Sequence, residues 1–316
     1  MKKNSIFLAL IALVAVGAFL SGRISVKNDQ EGDVAGQKEG AVVFSPEKQK
    51  KANIKFFVMS FCPYGNQAED ILKPVAELLG SENVEWEPRY IVSKMTLDQI
   101  RQSCEPQIYS AARCVDYVSQ GYFADAASCK ERLFTNVDDC VASQGKTVNG
   151  SIYTSLHGAG ELNQDVREIC AWNQTDDKAK WWDFVDKVNT NCTSDNVDDC
   201  WQEQASAAGI DISGINSCFE NEYGALLDNE ITITKEYGVS SSPTFVINGE
   251  KFPPQEAYPT TEGEVVELQI GKESFTTSQY RTPNAIKAAV CAGFENPPAA
   301  CDQVLEDTTG AAAGGC

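Results

Sequence analysis

The chain has 316 residues, 42% of them hydrophobic, and a formal net charge of -19. That is enough for one or two domains with a real core, and the acidic balance excludes nucleic acid as a natural partner. Twelve cysteines beside a single histidine are too many for a reducing cytosol and include no close C-x-x-C pair, so the expected use is disulfides, with no metal and no cofactor.

In chain order, Lys2 and Lys3 precede an apolar run from Ile6 to Leu20, closed by Ser21, Gly22 and Arg23. This is the charged and hydrophobic pattern of an export signal over residues 1–22. The run falls short of the roughly 20 apolar residues of a membrane span, and both a cleaved peptide and an uncleaved anchor fit it. Either way the expected location is extracytoplasmic: periplasm, exterior or secretory lumen. Residues 23–52, polar and rich in Gly, Lys and Gln, read as a linker.

A strand is expected over 54–60, then a helix from Cys62 to about Leu79 with Ile71, Leu72, Val75, Leu78 and Leu79 on one face. A second strand follows over 84–92. Residues 96–228 read as mostly helical and hold eight cysteines. Strand character returns at Pro243–Ile247, closed by the turn Asn248-Gly249, and again over 265–270. Pro283 introduces a last helix to Phe294, and residues 302–316 read as a flexible tail. The expected fold class is α/β: a thioredoxin-like unit in two parts, 53–95 and 229–301, split by a long, disulfide-rich helical insertion over 96–228. An insertion of that length cannot be a loop.

Cys62, in Phe61-Cys62-Pro63-Tyr64-Gly65, carries the chemistry. A thiol where a strand runs into a helix lies among unpaired N–H groups and the positive end of the helix dipole, both of which favour thiolate. Pro63 suits the first helical turn, where its missing N–H costs nothing. A dithiol motif would place its second Cys at position 65, where this chain has Gly65. Ser242-Pro243-Thr244 opens a strand with a residue that cannot donate to a sheet ladder.

With these residues in place, the chain resembles the DsbA-like branch of the thioredoxin superfamily over residues 53–301. The resemblance implies a cis Pro243 lying against the reactive Cys62, with its neighbouring backbone pairing with a substrate strand. The insertion resembles that of the gamma-interferon-inducible lysosomal thiol reductase family, whose run C-Q-H-G-x-x-E-C-x-x-N-x-x-x-x-C is met here by Ser155–Cys170. His157-Gly158, Glu161 and Cys170 fall in register; Ser155 and Leu162 stand at two of the family's cysteines, and Asp165 at its Asn.

The remaining cysteines divide by parity. Cys291 and Cys301 form a local pair; Cys104, Cys114, Cys129 and Cys140 form one set of two bridges, and Cys170, Cys192, Cys200 and Cys218 another, with pairing inside each set left open. Cys316, on the Gly- and Ala-rich tail, reads either as a resolving thiol that swings to Cys62 or as a terminal thiol that oxidises with a partner or a small thiol, and the second reading is preferred. His157 reads either as a proton donor or acceptor near the site or as a structural residue at the turn before a helix. The second reading is preferred, because nothing in the sequence brings it to Cys62. Asn149, Asn173 and Asn191 head glycosylation sequons.

The expected function is thiol–disulfide oxidoreductase or isomerase activity on protein cysteines through the single thiol Cys62. The expected partners are cysteine-containing extracytoplasmic proteins, with a small thiol or a membrane redox partner to recycle Cys62. The alternative is a redox-inactive module that uses the same fold to bind a partner.

Overall fold

The computed structural model describes residues 41–261 and 264–306. The expected signal over 1–22, the expected linker up to residue 40 and Cys316 lie outside these residues. The elements run β1 (Val42–Phe44), β2 (Ala52–Val58), α1 (Pro63–Asn83), β3 (Val84–Tyr90) and β4 (Ser93–Met95). The insertion follows as α2 (Leu97–Cys104), α3 (Ala111–Ser119), α4 (Ala126–Arg132), α5 (Val137–Gln144), a hairpin of β5 (Gly145–Val148) and β6 (Ser151–Thr154), α6 (Ala159–Gln174), α7 (Lys178–Asn191), α8 (Val197–Ala207) and α9 (Ile212–Glu236). The chain ends through β7 (Thr244–Ile247), β8 (Glu250–Phe252), β9 (Glu267–Ile270), β10 (Glu273–Thr276) and α10 (Pro283–Ala292).

The central sheet has the order β3-β2-β7-β8. β2 runs parallel to β3, from Ala52 opposite Val84 to Val58 opposite Tyr90. It runs antiparallel to β7, with Phe57 opposite Thr244. Ala52, Ile54, Phe56, Phe57 and Val58 of β2 are all buried, as befits a strand covered on both faces. α1 packs Ile71, Leu72, Val75 and Leu79 inward, one stripe at helical spacing. α10 packs against both α1 and β2. This is the thioredoxin-like arrangement, with a strand leading into a first helix at the Cys62 turn.

The insertion docks on the sheet through α7. Trp182 stacks on Phe56 with ring centroids 5.4 Å apart, and Trp181 donates its indole N–H to the Glu168 carbonyl oxygen at 2.9 Å. Five disulfides brace the chain. Cys104–Cys140 joins α2 to α5, Cys114–Cys129 joins α3 to α4, and Cys170–Cys218 joins α6 to α9. Cys192–Cys200 ties the end of α7 to α8, and Cys291–Cys301 ties α10 to the segment after it. Such a set belongs to an oxidising, extracytoplasmic compartment. Among the described residues, no helix is long and apolar enough to cross a membrane.

Three boundaries differ from the sequence expectations. Val42–Phe44, inside the expected linker, forms a parallel strand with β9, Val42 opposite Leu268; a three-residue strand paired across the whole domain leaves too little periodicity to read. The insertion is not helical throughout: β4, β6 and β5 form a three-stranded sheet. Its hairpin turns at Asn149-Gly150, whose φ angles of 50° and 79° match the two-residue turn that Asn-Gly favours. The expected boundary at residue 228 falls inside α9, which runs unbroken to Glu236 because its buried positions, from Tyr223 and Leu227 to Glu230 and Thr234, keep helical spacing.

Candidate functional site

β2 ends at Val58, and the chain turns through Met59-Ser60-Phe61-Cys62, with the Cys62 N–H donating to the Met59 carbonyl at 3.0 Å. Cys62 is the N-cap of α1, in extended conformation (φ -74°, ψ 119°), and Pro63 occupies the first helical turn. The Cys62 carbonyl accepts from the Asn66 N–H at 3.0 Å. Cys62 is disulfide-bonded and fully buried. Tyr64, two residues on, is 37% exposed.

The front of this turn is the β7 entry. The Ser242–Pro243 peptide bond is cis, Pro243 is buried, and the Cys62 Sγ lies 4.0 Å from the Ser242 carbonyl oxygen. A sulfur already bonded to another sulfur has no proton to donate, so this is a packing contact. The Thr244 hydroxyl donates to the Ser241 carbonyl at 2.7 Å. Ser242 Oγ is buried without a hydrogen-bond partner. Gly65 faces it: a Cβ at position 65 would sit 2.9 Å from Ser242 Oγ and 3.0 Å from the Met59 carbonyl oxygen. In this conformation, Ser242 and Met59 occupy the space that a second motif cysteine would need.

The back of the turn is α6. Glu161, Gln164, Asp165 and Glu168 share one face and are all buried. Asp165 Oδ1 accepts from the Ser60 N–H at 3.0 Å and from the Ser60 hydroxyl at 2.5 Å. Glu161 Oε1 accepts from the Phe61 N–H at 2.9 Å. Glu168 accepts from the Tyr90 hydroxyl at 2.8 Å and from the Gln164 amide at 2.9 Å, and Glu69 of α1 accepts from the Asn189 amide at 2.7 Å. Burial pushes the Asp165 carboxyl well above the usual range, and the Glu161 charge pushes it further. Glu69 is raised in the same way, by burial and then by Glu168. Burial raises Glu168 to about 7. Burial thus favours the neutral forms of Asp165, Glu69 and Glu168 behind the turn that carries Cys62.

A cavity of about 450 Å³ adjoins the turn, reached by Met59 and by Ser240 of the β7 entry and walled by Ile91, Ile100, Phe123 and Leu133. No charged residue lines it.

The structure thus brings Cys62 and Gly65 against Ser242, with Pro63 in the first turn of α1, while the ten other described cysteines sit in the bracing bridges. His157 does occupy the turn before a helix, and it also reaches the site: its Nδ1 lies 2.7 Å from Glu161 Oε1. Sequence reading missed Ser60, Glu69, Asp165 and Glu168 as site residues. Their signal was faint: acids at positions 161, 165 and 168, one helical face, interleaved with the buried Leu162, Val166 and Ile169. Among the described residues, no group of His, Cys, Asp and Glu has the arrangement of a metal site.

The family model of the vacuolar sorting receptor thioredoxin-like domain matches residues 62–255, starting at Cys62 and spanning the Pro243 strand. The chain belongs to this family. Solved structures resembling this member include the reduced disulfide bond oxidoreductase DsbG of Mycobacterium tuberculosis, 11% identical, covering 82% of this chain and 88% of that one with a TM-score of 0.40. DsbA of Mycobacterium tuberculosis is 12% identical, with coverage of 83% and 94% and a TM-score of 0.38. A probable DsbA oxidoreductase of Streptomyces coelicolor is 13% identical, with coverage of 70% and 97% and a TM-score of 0.35. Likeness at this level says nothing of activity. No curated protein matches the sequence.

Proposed function

We propose that the protein is an exported thiol–disulfide exchange enzyme acting on the cysteines of extracytoplasmic proteins. The observation that carries this reading is Cys62 itself: an N-cap cysteine, already in a disulfide, packed against the cis Ser242–Pro243 bond. In the reduced protein the Cys62 thiolate attacks one sulfur of a substrate disulfide. A mixed disulfide forms and the second substrate sulfur leaves as thiolate. Isomerisation ends when a substrate thiolate attacks the mixed disulfide, forms a new substrate disulfide and returns Cys62. Net reduction needs a second enzyme thiol, which displaces the substrate as a thiol and leaves Cys62 in an enzyme disulfide.

Cys316 is the resolving thiol that the cysteine count favours. Ten of the twelve cysteines pair with one another, and Cys62 is disulfide-bonded as well. The segment before the tail, Ala299–Asp302, packs against α1, the helix that starts at Cys62. Ten further residues, extended, reach roughly 33–36 Å, against about 31 Å for the whole of α1. A small thiol or a membrane redox partner then recycles the Cys62 disulfide. The Ser242–Pro243 entry and the uncharged cavity beside it take the substrate backbone and an apolar side chain.

The complete burial of Cys62 favours a second reading, in which the sulfur is permanently capped and the same face only binds a partner. Trapping separates the two. Cys316→Ser protein, expressed in its own compartment and recovered under acid quench, should carry substrate proteins on Cys62 as mixed disulfides. Absence of any Cys62 adduct under oxidising and reducing conditions alike overturns the enzyme reading.

A further inference from the structure

The turn that carries Cys62 is held from behind by the insertion. The Phe61 amide, adjacent to Cys62, donates to Glu161 Oε1 at 2.9 Å. Glu161 has no exposed surface. Its Oε2 accepts from the Ser155 hydroxyl at 2.7 Å and from the His157 N–H at 2.9 Å, and Oε1 lies 2.7 Å from His157 Nδ1. The imidazole is itself mostly enclosed, and its Nε2 is buried without a hydrogen-bond partner. A buried carboxylate is costly unless paired and hydrogen-bonded. Here the only histidine of the chain is spent on one that touches the reactive turn.

We propose that Glu161 and His157 are positioning residues of the Cys62 thiol: Glu161 fixes the turn through Phe61 and sets a negative charge beside it, and His157 screens that charge by donating to it from Nδ1. The proposal rests on the thiol-exchange reading and deepens it. It adds no bond-making step; it sets how much of Cys62 is thiolate at a given pH. Like charge disfavours thiolate and opposite charge favours it.

The groups around Glu161 come from four elements. Ser155 and His157 lie between β6 and α6; Asp165 and Glu168 are on its own helix. Glu69 of α1 and Tyr90 of β3 border Glu168. Burial raises the Asp165 and Glu69 carboxyls well above the usual carboxylate range and pushes the Tyr90 phenol well above its ordinary value. Glu168, raised to about 7, changes charge near neutrality, so profiles are compared with Glu168→Gln as a common background.

The test uses the full-length chain, gently reduced so that Cys62 is a thiol. Iodoacetamide alkylation of Cys62 is followed across pH, with the modified cysteine located by peptide mass mapping. Glu161→Gln keeps an oxygen for the Phe61 amide and removes the charge; it should move the Cys62 midpoint down by about one pH unit. His157→Gln leaves the carboxylate without its ring donor and should move it up by a smaller amount. Midpoints that stay in place while only Tm falls, or that move in the same direction, overturn the proposal. If Glu161→Gln does not fold, an unmoved midpoint in His157→Gln overturns it alone. Alkylation needs no substrate, so opposite shifts in a protein that forms no mixed disulfides would sink the exchange reading and leave the positioning result standing.

Discussion

Two walls meet at the Cys62 turn, and they are built from opposite materials. The front wall, Ser242-Pro243 with Gly65 facing it, is neutral and small, and it touches sulfur through a backbone carbonyl. The back wall, α6, is a buried acidic face that grips the amides of Ser60 and Phe61 through Asp165 and Glu161. At the front, the described contacts to the turn are a backbone carbonyl and the small neutral Ser242 side chain. The back can be buried only because its carboxylates accept several hydrogen bonds or keep their protons. On the proposed exchange reading, the contrast separates two jobs: the front wall meets the substrate, and the back wall sets the geometry and charge behind the turn.

Removing what pins the back wall should have the largest effect. Cys170–Cys218 closes 48 residues and Cys192–Cys200 only 8, so paired Cys→Ala substitutions should cost about 4 and about 2.5 kcal/mol by loop entropy. Urea midpoints measure both, and equal costs would show that the α6–α9 bridge does no more than a local staple. Next comes pH. The folded Glu168 carboxyl is raised from 4.5 to about 7. Its contribution is therefore full below pH 4.5 and is lost as pH rises through about 7, a fall on the order of 3 kcal/mol. Unfolding free energy against pH should show this slope in the parent and lose it in Glu168→Gln; a slope unchanged in the variant places the titration elsewhere.

A smaller effect is expected at the grip itself. Ser60→Ala removes the hydroxyl bond to Asp165 and should cost about 1–2 kcal/mol, read by thermal unfolding. On the front wall, Gly65→Ala sets a methyl 2.9 Å from Ser242 Oγ and should cost about 1–2 kcal/mol of overpacking. Ser242→Ala should recover part of it, giving a coupling of about 1 kcal/mol in a double-mutant cycle. Strict additivity would mean that the two residues do not compete for the same space.

Much of the frame was legible in the sequence. β2, α1, β3, β7 and α10 each carry their own signal: an apolar run, a one-sided stripe, a Pro at an element start. Cys62 and Pro243 were therefore placed before any contact was known. Val42–Phe44 was lost because its only partner is β9, more than two hundred residues away. The hairpin in the insertion was lost for a different reason. Asn149-Gly150 reads as the head of a glycosylation sequon, although the same pair is a strong hairpin-turn signal. The acids of α6 stayed hidden because charged residues on a helix normally face water, and nothing local marks a face that will be buried against another element.

The sequence by itself determined the alternation of strands and helices, the position of a cysteine at a helix start, and an even set of bracing cysteines, because each is written in residues close together along the chain. Only the tertiary structure decided that the insertion returns to the site. It sets His157 and Glu161 behind Phe61, about a hundred residues earlier, and fills the place of a second motif thiol with Ser242 and the Met59 carbonyl. Both outcomes depend on burial, which is a property of packed neighbours. The environment of Cys62 was therefore settled where α6 and the β7 entry close on the turn.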